Sequence, residues 1–173
     1  CEIIYYNGKL ILSMAKDSKR STNANPPLSI VVLEPQSGEV FWRSQPMASL
    51  GDLSERGKKN VLKQGHIMIA VGNDIVAAAT TDEIVAYHLA SGEISWRVNR
   101  PEKSVGEAEK TKTRLHFGSF NLGSLVINRG RVYFCQPLQS GKMSNLAPMT
   151  LLCLDAKSGN VLWRKKVGDW TYT

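Results

Sequence analysis

Three cysteines, three histidines and four tryptophans are the residues of this 173-residue chain best suited to ligate a metal, attack a substrate or stack on a flat cofactor. Their spacing does not assemble any of those chemistries. Cys1, Cys135 and Cys153 form no Cys-x-x-Cys pair, no zinc spacing and no Cys-x-x-Cys-His haem site. His66, His88 and His116 are not spaced as ligands on one element. Ser37, Ser91 and Ser158 each precede a glycine, but no Gly-x-Ser-x-Gly elbow presents a serine nucleophile. No dense acidic and amide cluster of the kind that holds calcium occurs. Catalytic, cofactor and metal residues are therefore expected to be none in this chain. Cys1 could be the lipidated first residue of a mature lipoprotein or an ordinary thiol. A strand pattern, Ile3-Ile4-Tyr5-Tyr6, follows it at once, without a linker.

The elements that would position such residues come from a repeat. Ile30 to Arg43, Ile84 to Arg97 and Leu151 to Arg164 align without gaps. Each is an apolar run, a Ser-Gly turn, a short strand and then Trp-Arg. Gly38, Gly92 and Gly159 supply the positive-φ residue of the turn, and the preceding serine can bond its backbone. Trp42, Trp96 and Trp163 then become large apolar plugs at one place in every unit. Strand alternation puts Val40, Ile94 and Val161 on the same face as these indoles. A second hairpin precedes each of the three, with turns at Asn7-Gly8, Gly72-Asn73-Asp74 and Asn128-Arg129-Gly130. The expectation is all-β: three four-stranded antiparallel blades, about residues 1–45, 65–99 and 115–167, forming part of a β-propeller. All three tryptophans are expected to be mostly buried.

The ending Leu154-Asp155-Ala156-Lys157-Ser158-Gly159 to Trp163 resembles that of the pyrroloquinoline-quinone (PQQ) repeat propellers. Glu34 takes the acidic position in the first unit. The second departs, with Tyr87-His88 there, and His88 is expected to make the same turn contacts. The resemblance implies a fold shared by quinoprotein alcohol dehydrogenases, an outer-membrane-protein assembly lipoprotein and many sensor or scaffold propellers. The motif discriminates poorly among them. The catalytic relatives use calcium ligands, flat groups stacking on the quinone and, in some, adjacent cysteines; this sequence has no dense acidic and amide cluster and no adjacent cysteines, and its repeated tryptophans Trp42, Trp96 and Trp163 are read as blade plugs rather than stackers. Two readings follow. One is a non-catalytic scaffold that binds a protein or ligand. The alternative is a fragment of a quinoprotein alcohol dehydrogenase, with PQQ and calcium as cofactors only in that case. A periplasmic or extracellular bacterial location follows from the resemblance alone.

Three blades do not close a ring and leave open edges and faces. The remaining blades are expected from the same gene product or another chain, a six-bladed homodimer included. The sequence is expected to begin inside a gene product or after processing, because it opens with neither Met nor a leader pattern. No run of 18 apolar residues occurs.

The net charge is +7. The long segments Ser13 to Leu28, Pro46 to Gln64, Arg100 to Arg114 and Gln136 to Met149 fall on one face of a four-strand meander. They hold thirteen basic and six acidic residues, which is the whole net charge. Lys16, Arg20, Lys58, Lys59, Lys110, Lys112 and Arg114 are the candidate binding residues of that face. Loops on one face of a rigid frame are a usual place for function. An acidic protein surface or an anionic envelope component would complement them. The segments lack aromatics, so base-stacking nucleic-acid recognition is not indicated.

Overall fold

A computed structural model describes residues 3–15, 27–47, 67–80, 83–99, 124–137 and 149–167. They form twelve strands. These are β1 (Ile3–Tyr6), β2 (Lys9–Ala15), β3 (Leu28–Leu33), β4 (Val40–Arg43), β5 (Met68–Gly72), β6 (Ile75–Ala79), β7 (Glu83–His88), β8 (Ile94–Asn99), β9 (Ser124–Asn128), β10 (Arg131–Pro137), β11 (Met149–Asp155) and β12 (Val161–Val167). They pair as three antiparallel meanders, β1-β2-β3-β4, β5-β6-β7-β8 and β9-β10-β11-β12.

The first hairpin of each sheet closes through two residues with positive φ. The pairs are Asn7 (45°) with Gly8 (71°), Asn73 (50°) with Asp74 (58°) and Arg129 (48°) with Gly130 (73°). Two left-handed residues match the twist of the flanking strands, which is why short polar residues and glycine gather there. Arg129 is the costly member, since an L side chain in that region is disfavoured by about 1–2 kcal/mol.

The second hairpin of each sheet turns through a loop of common design. The amide of Gly38 donates to the Glu34 carbonyl at 2.9 Å, Gly92 to His88 at 2.8 Å and Gly159 to Asp155 at 2.9 Å. The serine hydroxyl before each glycine accepts from the amide two residues on: Ser37 from Glu39, Ser91 from Glu93 and Ser158 from Asn160. In the outer loops a carboxylate also accepts backbone donors. Glu34 takes the amides of Gln36 and Ser37, and Asp155 those of Lys157 and Ser158. The bond from the Ser37 amide holds the Glu34 carboxyl below its ordinary value, and that from Ser158 does the same for Asp155. His88 keeps the backbone bonds of this design, but its exposed side chain makes no bond to the turn. A neutral or cationic imidazole does not replace a carboxylate accepting two amides. The expectation of equivalent side-chain contacts is thus corrected.

Pairing of the last two strands slips at one place in all three sheets: between Val32 and Leu33, Ala86 and Tyr87, and Cys153 and Leu154. Leu33 faces Val40 while Val32 faces Trp42, so β4 carries one extra residue, a β-bulge. The bulge interrupts the alternation assumed for Val40, Ile94 and Val161. These three side chains are exposed, whereas Trp42 and Trp96 are buried, so the same-face expectation is corrected.

The core lies between sheets. One cluster joins the first sheet to the second, with Ile11, Ile30, Val32 and Trp42 against Ile69, Val76, Val85 and Tyr87. The other joins the second to the third, with Ala70, Ala77, Ala86 and Trp96 against Val132, Phe134, Leu152 and Leu154. The alanine row leaves the depth that Phe134 and the leucines fill, a matching of small to large that reaches interior density.

Candidate functional site: the blade joints

Each joint is built from a row of four residues lying side by side across one sheet. In the first sheet the row is Ile4, Ile11, Val32 and Trp42. In the second it is Ala70, Ala77, Ala86 and Trp96. The indole at the outer end reaches the loop between the third and fourth strands of the next sheet. Trp42 Nε1 donates to the Leu89 carbonyl at 2.9 Å, and Trp96 Nε1 to the Ala156 carbonyl at 2.8 Å. Leu89 and Ala156 occupy equivalent repeat positions. Their own amides donate back to the first hairpin of their sheets, at the Asp74 and Gly130 carbonyls.

The glycine three residues later completes the seat. A β-carbon on Gly92 would stand 2.5 Å from Trp42 Cδ2, and one on Gly159 2.7 Å from Trp96 Cδ2. Both glycines also have φ near +74° and +73°. The position therefore demands glycine twice, for conformation and for the indole face lying on it. Tyr87 adds to the first joint. Its ring centroid is 5.8 Å from that of Trp42, and its hydroxyl contacts Met47 Sδ at 3.4 Å. Burial pushes the Tyr87 phenol up from its usual value. In the second joint, Asn73 Oδ1 accepts from the Gly130 amide at 3.1 Å, linking neighbouring first hairpins.

Repeat spacing marked the tryptophans and glycines. It did not mark the carbonyls of Leu89 and Ala156, because any residue carries one. Nor did it mark Asn73 as a cross-blade acceptor.

Trp163 departs from the expectation of burial. Its row, Val126, Tyr133, Cys153 and Trp163, is equivalent to the other two. Yet Trp163 is 38% exposed, against 9% for Trp42 and 7% for Trp96. The physical reason is the lack of any further sheet against that face among the described residues. The ring leans instead on Tyr133, with centroids 6.2 Å apart. The mirror condition holds at the other end. Gly38 has φ +73°, but among the described residues nothing lies within 4 Å of where its β-carbon would be. Ile3 and Tyr5 of β1 are exposed beside it on the leading sheet.

The candidate basic residues Lys16, Arg20, Lys58, Lys59, Lys110, Lys112 and Arg114 lie outside the described residues, as do Cys1, His66 and His116. Cys135 and Cys153 are free thiols; Cys153 is buried, and burial raises the Cys135 thiol. Among the described residues no group of three or more His, Cys, Asp or Glu is placed to hold a metal ion. No helix among them is long and apolar enough to cross a membrane.

Three four-stranded meanders joined through repeated tryptophan rows define a segment of a β-propeller of the PQQ-repeat class. Residues 28–169 match the family model described as outer membrane protein assembly factor BamB, and the chain belongs to that PQQ-repeat family. Among solved structures, BamB from Moraxella catarrhalis superposes with a TM-score of 0.50 at 12% identity, covering 95% of this chain and 34% of that one. Quinohemoprotein alcohol dehydrogenase from Comamonas testosteroni superposes with a TM-score of 0.54 at 17% identity, covering 95% of this chain and 20% of that one. At these identities the likeness is one of fold. The chain spans about a third of the first and a fifth of the second. No curated protein matches the sequence.

Proposed function

We propose that the chain is a non-catalytic propeller segment, a rigid scaffold that binds a protein through loops on one face of its blades. The supporting observation is the use made of the aromatic rows. Trp42 and Trp96, two residues well suited to stack on a flat quinone, are instead bound edge-on to a neighbouring carbonyl and face-on to a glycine. The frame they lock can present loops without itself moving. The excess of basic residues in the long segments suits an acidic protein surface. The family supports a bacterial periplasmic or extracellular setting, with further blades supplied by the same gene product or another chain.

The test adds PQQ and calcium to the purified chain and follows quinone binding and dye-linked alcohol oxidation. Neither is expected. Stoichiometric quinone binding with turnover would replace the scaffold by the dehydrogenase-fragment reading. In a parallel titration, binding to a polyglutamate peptide is expected to weaken as salt rises, because exposed charges are screened over about 8–10 Å near physiological ionic strength. Salt-independent binding, or none at low salt, would remove the basic face from the account.

A further inference from the structure

Each repeat places an arginine directly after its tryptophan: Arg43, Arg97 and Arg164. Strand pairing sets them at one register position, opposite Val31, Val85 and Leu152, all of which are buried. The arginines themselves are exposed on the last strand of each sheet. An alkyl stem is enough to shield the apolar residue beside it. The guanidinium is not needed for that, and the fold makes little use of it. Among the described residues Arg43 and Arg164 form no hydrogen bond or ion pair, and Arg97 has one loose pair, to Glu83 at 3.8 Å. An exposed pair of that length contributes little. Charge is also divided between the two ends of the strands. Among the described residues, Glu34, Glu39, Asp74, Glu93 and Asp155 lie in or beside the short turns, interleaved with Lys9, Arg129, Arg131 and Lys157. Arg43, Arg97, Arg164 and Lys165 lie toward the other end, where Glu83 is the one acidic residue described. That end leads into the long segments that hold the net positive charge.

We infer that Arg43, Arg97 and Arg164 form a carboxylate-binding row, one guanidinium per blade, for an acidic segment of a partner protein laid across the last strands of successive sheets. A planar guanidinium takes a carboxylate through two parallel hydrogen bonds, and one with no strong partner of its own is free to do so. Equal register in three blades repeats the same group along the path of the segment. The neighbouring long segments supply the same sign of charge and exclude a cationic occupant. The inference rests on the reading that the long-segment side binds an acidic protein, and it assigns to that contact residues of the rigid frame.

The probe is labelled polyglutamate, titrated with the purified chain by fluorescence anisotropy in about 50 mM salt. The set Arg43→Met, Arg97→Met and Arg164→Met keeps an unbranched stem and removes the charge. It is expected to weaken binding about tenfold or more, with the melting curve little changed. The control set Arg129→Asn, Arg131→Met and Lys157→Met removes as many charges at the short-turn end, and should leave binding within about threefold. The set Arg43→Lys, Arg97→Lys and Arg164→Lys should fall between, because an ammonium keeps the charge and loses the paired bonds. Full affinity in the first set overturns the inference and leaves the long segments alone as the binding face. Equal losses in the first set and the control overturn it too, since binding then follows net charge. A parent chain that ignores polyglutamate but binds phosphatidylglycerol vesicles overturns both the inference and the reading it rests on.

Discussion

At the scale of single residues, the three repeat tryptophans share a sequence position and differ in energetic weight. Trp96 is buried, hydrogen-bonded to another sheet and packed on Gly159. Trp96→Ala leaves a cavity in a joint and is expected to cost about 3–5 kcal/mol, the range for deleting a buried large aromatic. Trp163→Ala removes a partly exposed ring with no sheet over it among the described residues, so a cost of about 1 kcal/mol or less is expected. Urea denaturation of the two variants checks the contrast. Their glycines separate in the same way. Gly38→Ala meets only the conformational penalty of positive φ, about 1–2 kcal/mol. Gly92→Ala adds a clash with the ring of Trp42 and should cost clearly more. Equal costs in one denaturation series would mean that the indole does not lie on Gly92.

At the scale of the hairpin, the turns set which substitutions and which pH the sheets tolerate. Arg129 holds φ +48° in the first hairpin of the third sheet, where the equivalent residues are Asn7 and Asn73. Arg129→Asn keeps the turn and lowers the backbone strain, so a gain of about 0.5–1 kcal/mol is expected in thermal or urea melts. Glu34 and Asp155 carry depressed carboxyls because backbone amides, first those of Ser37 and Ser158, donate to them. A depressed folded-state pKa contributes stability above the unfolded value, about 3.9 for Asp and 4.3 for Glu. That contribution is lost as pH falls through the folded-state pKa. Melting temperature followed from pH 6 downward should therefore drop below about pH 4. Asp155→Asn, which keeps an acceptor but not the charge, should drop less over that window.

At the scale of the whole molecule, the described residues cover the second sheet on both faces and each of the other two sheets on one. All five residues of β6 are buried, and β1 alternates between exposed and partly buried. Hydrogen exchange follows local opening, and strands inside two clusters open least. Amides of β6 and β7 are expected to exchange most slowly and those of β1 among the fastest. Equal protection of β1 and β6 at low concentration would show that the leading face is covered in the isolated chain.

The sequence by itself determined the blade count, the four-strand units, the turn glycines and the indole positions, because each depends on local periods and on residues with restricted backbone or large volume. Gly38, Gly92 and Gly159 read alike, as do Trp42, Trp96 and Trp163. Only the tertiary structure decided that Gly92 and Gly159 lie under a ring while Gly38 lies open. It also decided that Trp42 and Trp96 are sealed while Trp163 is not. The bulge that exposes Val40, Ile94 and Val161 was hidden too, since strict alternation is the default for a strand and a single extra residue leaves no compositional mark. The joint itself runs through the carbonyls of Leu89 and Ala156. A carbonyl is common to every residue, so its role is fixed by which strand of which sheet comes to lie beside it, and that is a property of the packed chain.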